Sequence, residues 1–293
     1  MLVGAFELDE PVPQLRDPHM FVALREWVDV GRVGTLALTE LERHLRARDL
    51  GRLQRPGTYY DFTRYRPLRL ADGSGLKVPN ADLRYASLPG GHDLVFVHAY
   101  EPHWRGEEFV ESVLSVAEKL GVRRYCLLGA MYGRTPHTRP VGVSGRATEE
   151  SVQDYLKAAG VRTSGYGGPT TIMLMASELA PERGMEMMHL LVQLPPYIRV
   201  EEDIRGQEAL LRALDGLYGF NLNMDSLVQQ GDKQYQELNR LVRRNPQMRA
   251  LIRRLEWDYD SQSVGLSGSE DDQELPPDIE GFLRELEGTE PEE

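Results

Sequence analysis

The residues best equipped for chemistry in this sequence are His137, Thr138 and Arg139, in the run Pro136-His137-Thr138-Arg139-Pro140. An imidazole exchanges protons near neutral pH, a threonine hydroxyl attacks only with a positioned base beside it, and a guanidinium fork grips carboxylate or phosphate. Trp27 and Asp29, in Trp27-Val28-Asp29-Val30-Gly31, and Glu101 and Trp104, in Tyr100-Glu101-Pro102-His103-Trp104-Arg105, join them as a candidate ligand or interface cluster. No nucleophile is placed beside His137, so no catalytic residue is assigned. The favoured reading is structural. His137, Thr138 and Arg139 hold their loop by hydrogen bonds, Arg139 pairs with Glu101 across two strand ends, and Trp27 is a packing anchor. The competing reading is a phosphorylase- or hydrolase-like enzyme or small-molecule binder with these polar residues around a cleft.

His19, His98 and His103 together with Glu101 match no zinc spacing, and Cys126 is the single cysteine, so neither metal nor cofactor is expected. Gly167-Gly168-Pro169-Thr170 lacks the lysine and spacing of a phosphate-binding loop and reads as a tight turn. Met173, Met175, Met185, Met187 and Met188 read as core filler or an oligomer contact.

The elements that must position these residues alternate along the chain. Strands are expected at 20–24, 93–98, 123–128 and 187–194, and helices at 33–46, 107–120, 149–159, 171–179, 205–217, 232–245 and 246–257. Thr148 is expected to cap the helix at 149–159. A β-hairpin is expected within 59–75, around Asp72-Gly73-Ser74-Gly75. Strand 93–98, helix 107–120 and strand 123–128 form a βαβ unit whose strands empty at one edge, where open α/β sheets gather ligands. That edge should bring Glu101 and Trp104 near the loop of His137 and Arg139, with the first strand near the middle of the sheet. The expected organisation is an α/β core over 1–200, a helical subdomain over 201–260 and an acidic tail over 261–293.

The formal charge of −12 is concentrated: residues 261–293 hold eleven Asp or Glu against one Arg, a net of −10, leaving −2 for the rest. A nearly neutral body without a basic stripe argues against nucleic acid. The tail composition is that of a disordered segment, yet Ile279, Phe282, Leu283 and Leu286 fall at helical spacing and could dock on a protein partner. No apolar run of about 20 residues suggests a membrane span, and the first ten residues lack the pattern of a signal peptide. A cytoplasmic protein is expected.

Glu101-Pro102 followed by Trp104 and Phe109, then Leu128-Gly129-Ala130 and Pro136-His137-Thr138-Arg139-Pro140, resembles the proteasome assembly chaperone 2 family over residues 17 to 230. Trp27-Val28-Asp29-Val30-Gly31 and Pro195-Pro196-Tyr197 fall in the order the resemblance requires. It implies a three-layer α/β/α sandwich like that of phosphorylases and hydrolases, to which the helices after position 200 add a small C-terminal appendage, a homo-oligomer with a trimer among the candidate states, and a non-catalytic chaperone-like or scaffold role. Chaperones of that family can end in a hydrophobic-tyrosine-any signature. This sequence ends Glu290-Pro291-Glu292-Glu293, which speaks against proteasome engagement by that route.

Overall fold

The computed structural model describes residues 1–73, 75–163, 170–242 and 245–263. In chain order the strands are β1 (Leu2–Val3), β2 (Phe6–Leu8), β3 (His19–Arg25), β4 (Arg48–Leu53), β5 (Leu68–Arg69), β6 (Leu76–Lys77), β7 (Asp82–Ala86), β8 (Leu94–Tyr100), β9 (Arg124–Tyr132), β10 (Gly142–Ala147) and β11 (Glu186–Leu194). The helices are α1 (Val33–His44), α2 (Gly106–Leu120), α3 (Glu150–Ala158), α4 (Ile172–Leu179), α5 (Ile204–Tyr218), α6 (Asp225–Val242) and α7 (Pro246–Ser263).

Nine strands form one sheet in the order β1-β2-β4-β7-β8-β3-β9-β11-β10. Its centre, β8-β3-β9-β11, is parallel, and both flanks are antiparallel. Central parallel strands are covered on both faces and so read as unbroken apolar runs. In β3 and β8 every residue but the last is buried, so Arg25 and Tyr100 mark where the strands meet the surface.

Helices α2 and α4 cover one face through Phe109, Val113, Met173 and Ala176. Helices α1, α3 and α5 cover the other through Leu38, Leu41, Leu156 and Leu210. The expected three-layer sandwich is therefore present; of the segment expected as a helical subdomain, 201–260, α5 packs within the sandwich and α6 and α7 follow it. Helix α2 shows why these segments are helical. Its apolar residues share one face, Glu107 and Glu108 oppose the dipole at its start, and Gly121 ends it in the left-handed region. Among the described residues no helix is long and apolar enough to cross a membrane.

Several elements depart from expectation. Strand β3 lies between β8 and β9, so the two strands of the βαβ unit are not neighbours. The segment 59–75 does not pair with the main sheet. The β-hairpin expected around Asp72-Gly73-Ser74-Gly75 is present as β5 paired antiparallel with β6, with Leu68 opposite Lys77, while Tyr59 follows a short 3-10 turn. Thr148 does not cap α3, because its hydroxyl accepts the Met187 N–H at 2.9 Å instead. Helix α6 starts seven residues before position 232 and runs through Gly231, where a Cβ would stand 2.8 Å from Arg205 Cγ; that glycine marks a close contact, not a break.

Candidate functional site

Because β3, β8, β9 and β11 are parallel, the segments that follow them leave at one edge of the sheet. The first, after β3, is held in an unusual backbone. Glu26, Val28 and Arg32 have φ of 65°, 34° and 52°, and a β-branched residue such as Val28 rarely tolerates that region. The Val28 carbonyl accepts the Ala130 N–H at 2.9 Å. Gly129 permits the approach, since a Cβ there would lie 2.2 Å from Val28 O.

Asp29 is buried beneath this segment. Its Oδ1 accepts the N–H groups of Gly34 at 2.7 Å and Thr35 at 3.1 Å, and the Thr35 hydroxyl donates to Oδ2 at 2.6 Å. It thus satisfies the open donors at the start of α1. Burial pushes its carboxyl up from the ordinary value against the pull of those hydrogen bonds. Asp203, which the sequence reading did not single out, does the same for α5: it accepts the Gly206 N–H at 2.7 Å and the Tyr235 hydroxyl at 2.9 Å. Its own N–H donates to Gly31 O at 2.9 Å, which ties α5 to the same segment.

Trp27, fixed from below in this way, is 57% exposed, and Trp104 is 50% exposed. Arg25 and Tyr100 are paired across β3 and β8, so both tryptophans follow neighbouring strand ends. From Trp104 an aromatic chain runs back to the ends of β8 and β3. Tyr65 meets Tyr100 and His103 at 4.7 Å each, His103 meets Trp104 at 6.0 Å, and Arg25 lies 5.5 Å over the Tyr100 ring. The Asp61 N–H donates to His103 Nδ1 at 3.2 Å, which leaves the ring hydrogen of the neutral form on Nε2. Burial, with Glu26 and Glu101 nearby, pushes the Tyr65 hydroxyl up to about 12. Glu101 Oε1 accepts the Ile172 N–H at 3.0 Å and fastens the start of α4 to this rim. Its Oε2 has no hydrogen-bond partner among the described residues, and burial raises this carboxyl.

His137, Thr138 and Arg139 form a different assembly. The Tyr197 hydroxyl accepts the His137 N–H at 2.9 Å and meets Nδ1 at 2.8 Å. The Thr138 hydroxyl donates to Glu256 at 2.6 Å, and Arg139 binds Asp260 through two parallel bonds of 2.8 and 2.6 Å. The Tyr259 hydroxyl adds a bond to Pro140 O at 3.2 Å. This segment is a clamp on α7. The expected Arg139–Glu101 pair is not formed, because acids on α7 take the guanidinium while Glu101 is spent on α4. The seven candidate residues therefore divide into a rim of Trp27, Glu101 and Trp104, a clamp of His137, Thr138 and Arg139, and Asp29 buried as a cap.

The three histidines weighed for a metal have separate partners: His19 meets Tyr218, His98 meets Glu42, and His103 meets Asp61. Gly167 and Gly168 lie outside the described residues, as does the stripe of Ile279, Phe282, Leu283 and Leu286. Sequence reasoning missed Tyr65, Tyr100 and Arg25. The density of tyrosines in otherwise polar segments was the available signal. It also missed Glu256 and Asp260, which carry none until α7 is placed.

Chemically, the rim offers apolar and cationic surface on a fixed backbone, which suits contact with a macromolecule. A three-layer α/β protein that displays such a rim and clamps its own C-terminal helices is the class these features define. A family model for the PAC2 family matches residues 23–242. A PAC2 family protein from Streptomyces avermitilis MA is 30% identical, with a TM-score of 0.68 over 77% of this chain and 96% of that one. A proteasome-assembly chaperone homologue from Mycobacterium tuberculosis is 25% identical, with a TM-score of 0.70 over 80% and 99% of the two chains. A Corynebacterium glutamicum ATCC 13032 protein of unknown function shares the fold at 22% identity, with a TM-score of 0.76 over 88% and 97%. No curated protein matches the chain significantly. The chain belongs to the PAC2 family, as the resemblance of its motifs implied.

Proposed function

We propose that this protein is a non-catalytic, chaperone-like scaffold that associates with itself and binds protein partners, and that the rim of Trp27 and Trp104 is its partner contact. The observation that carries this reading is the pair of half-exposed tryptophans on backbone fixed from beneath. An exposed indole forgoes burial worth about 2 kcal/mol or more. Held rigidly, it loses little conformational entropy when a partner covers it. Arg25, Tyr65 and Tyr100 around it are of the types that dominate interface energetics. Family membership supports the reading, since the Mycobacterium tuberculosis relative is described as a proteasome-assembly chaperone homologue. A trimeric state, a cytoplasmic location and a second contact through the C-terminal stripe belong to the same proposal.

The test is to purify the tagged full chain from its own host and measure its affinity for the polypeptide that accompanies it. Trp27→Ala and Trp104→Ala should each weaken that affinity about 30-fold, the equivalent of about 2 kcal/mol. Affinity unchanged in both variants would overturn the rim as the contact.

A further inference from the structure

A groove of about 960 Å³ opens on the far side of the clamp, between α5 and the turn that joins α3 to the Arg162 bridge. Arg139, Arg162, Arg205 and Arg212 line it, against only Glu208 and Asp232 among lining acids. Three of the arginines make partly exposed ion pairs: Arg139 with Asp260 at 2.6 Å, Arg205 with Asp232 at 2.6 Å, and Arg212 with Glu208. Pairs of that kind contribute little and exchange readily for other carboxylates. Arg162 lies 5.1 Å over the ring of Tyr259, which also lines the groove and belongs to α7. Val143, Val161 and Ala213 add apolar wall between the charges.

Helix α7 delivers the chain to this groove. Arg139 holds Asp260 at the groove's edge, and α7 ends three residues later at Ser263. The following residues, 264–293, carry eleven acids against one arginine, and Ile279, Phe282, Leu283 and Leu286 fall at helical spacing among them. Six residues separate Ser263 from the first of those acids, Glu270, a reach of up to about 20 Å. A segment tethered so closely has an effective concentration on the order of millimolar. We propose that the groove between α5 and the α3 turn is the docking site of this chain's own acidic segment, residues 270–287, with its carboxylates on Arg162, Arg205 and Arg212 and its apolar stripe on the wall between them. The clamp of Thr138 and Arg139 on α7 then serves to aim that segment at its site. The groove is distinct from the tryptophan rim, so this inference stands or falls separately from the rim contact; while docked here, the stripe is withheld from any second partner until that partner displaces it.

The experiment places the photo-crosslinker p-benzoylphenylalanine at Phe282 of the full chain and identifies the attached peptides by mass spectrometry, with heavy- and light-isotope copies mixed. Crosslinks within 140–162 or 205–216 of the same copy are expected. Their yield should fall at least fivefold in the Arg162→Glu, Arg212→Glu double variant and in 0.5 M NaCl. Arg212 is 64% exposed, and an unchanged melting temperature confirms that the variant folds. Crosslinks elsewhere, crosslinks between heavy and light copies, or a yield indifferent to charge reversal would overturn the proposal.

Discussion

At the scale of single residues, the chain spends its buried polar groups on its own backbone. Asp29 and Asp203 cap α1 and α5, and Glu101 binds the start of α4. His19, at the opposite edge of the sheet, is spent on a side chain instead. Burial, then the charges of Arg124, His92 and Arg123, lower it to about 3, while its Nδ1 meets the Tyr218 hydroxyl at 2.8 Å. The folded chain therefore binds fewer protons at His19 than the unfolded chain between pH 6.5 and about 3. Stability is complete above that window and is lost as pH falls through it, by up to about 1.4 kcal/mol per pH unit from this group. Urea unfolding at a series of pH values should show a shallower acid decline in His19→Gln; parallel declines would contradict the assignment. Gly129 gives a steric test of the segment that presents Trp27. Gly129→Ala places a methyl group against the Val28 carbonyl and should cost about 3 kcal/mol in unfolding free energy.

At the scale of elements, the clamp makes α7 an adjustable part. Thr138 and Arg139 hold it through side chains that are partly solvent-exposed, so each bond contributes modestly to global stability. The Thr138→Val, Arg139→Ala double variant should leave the melting temperature within a few degrees while amide exchange over 246–263 accelerates about tenfold or more. Unchanged exchange there would show that apolar packing of Leu251 and Leu255 alone holds the helix. Burial also explains what was legible beforehand. Strands β3, β8, β9 and β11 are covered on both faces and so were readable as apolar runs, as was the one-sided helix α2. Strands β4 and β10 were not, because Arg48, Asp49 and Arg52 on one and Gly142 and Gly145 on the other mask any apolar pattern. The composition of the candidate site was partly readable and its partition was not. Nothing in the spacing of Glu101 and Arg139 reveals that α4 and α7 supply closer partners for each.

At the scale of the whole molecule, the tryptophan rim and the arginine-lined groove lie on different elements. The rim presents exposed indoles at the carboxyl edge of the parallel strands, and the groove beyond the clamp presents arginines beside the last turns of α7. The proposed scaffold would meet partners at the first and hold its own acidic segment at the second. The measurement that bears most directly on the scaffold reading is native mass spectrometry of the full chain isolated gently from its own host, beside the Trp27→Ala, Trp104→Ala double variant. The account predicts a self-oligomer that carries a second polypeptide in the wild type and keeps its oligomeric state but loses that polypeptide in the variant. An assembly carrying a stoichiometric small molecule in place of a protein, or a partner retained in full by the double variant, would contradict it.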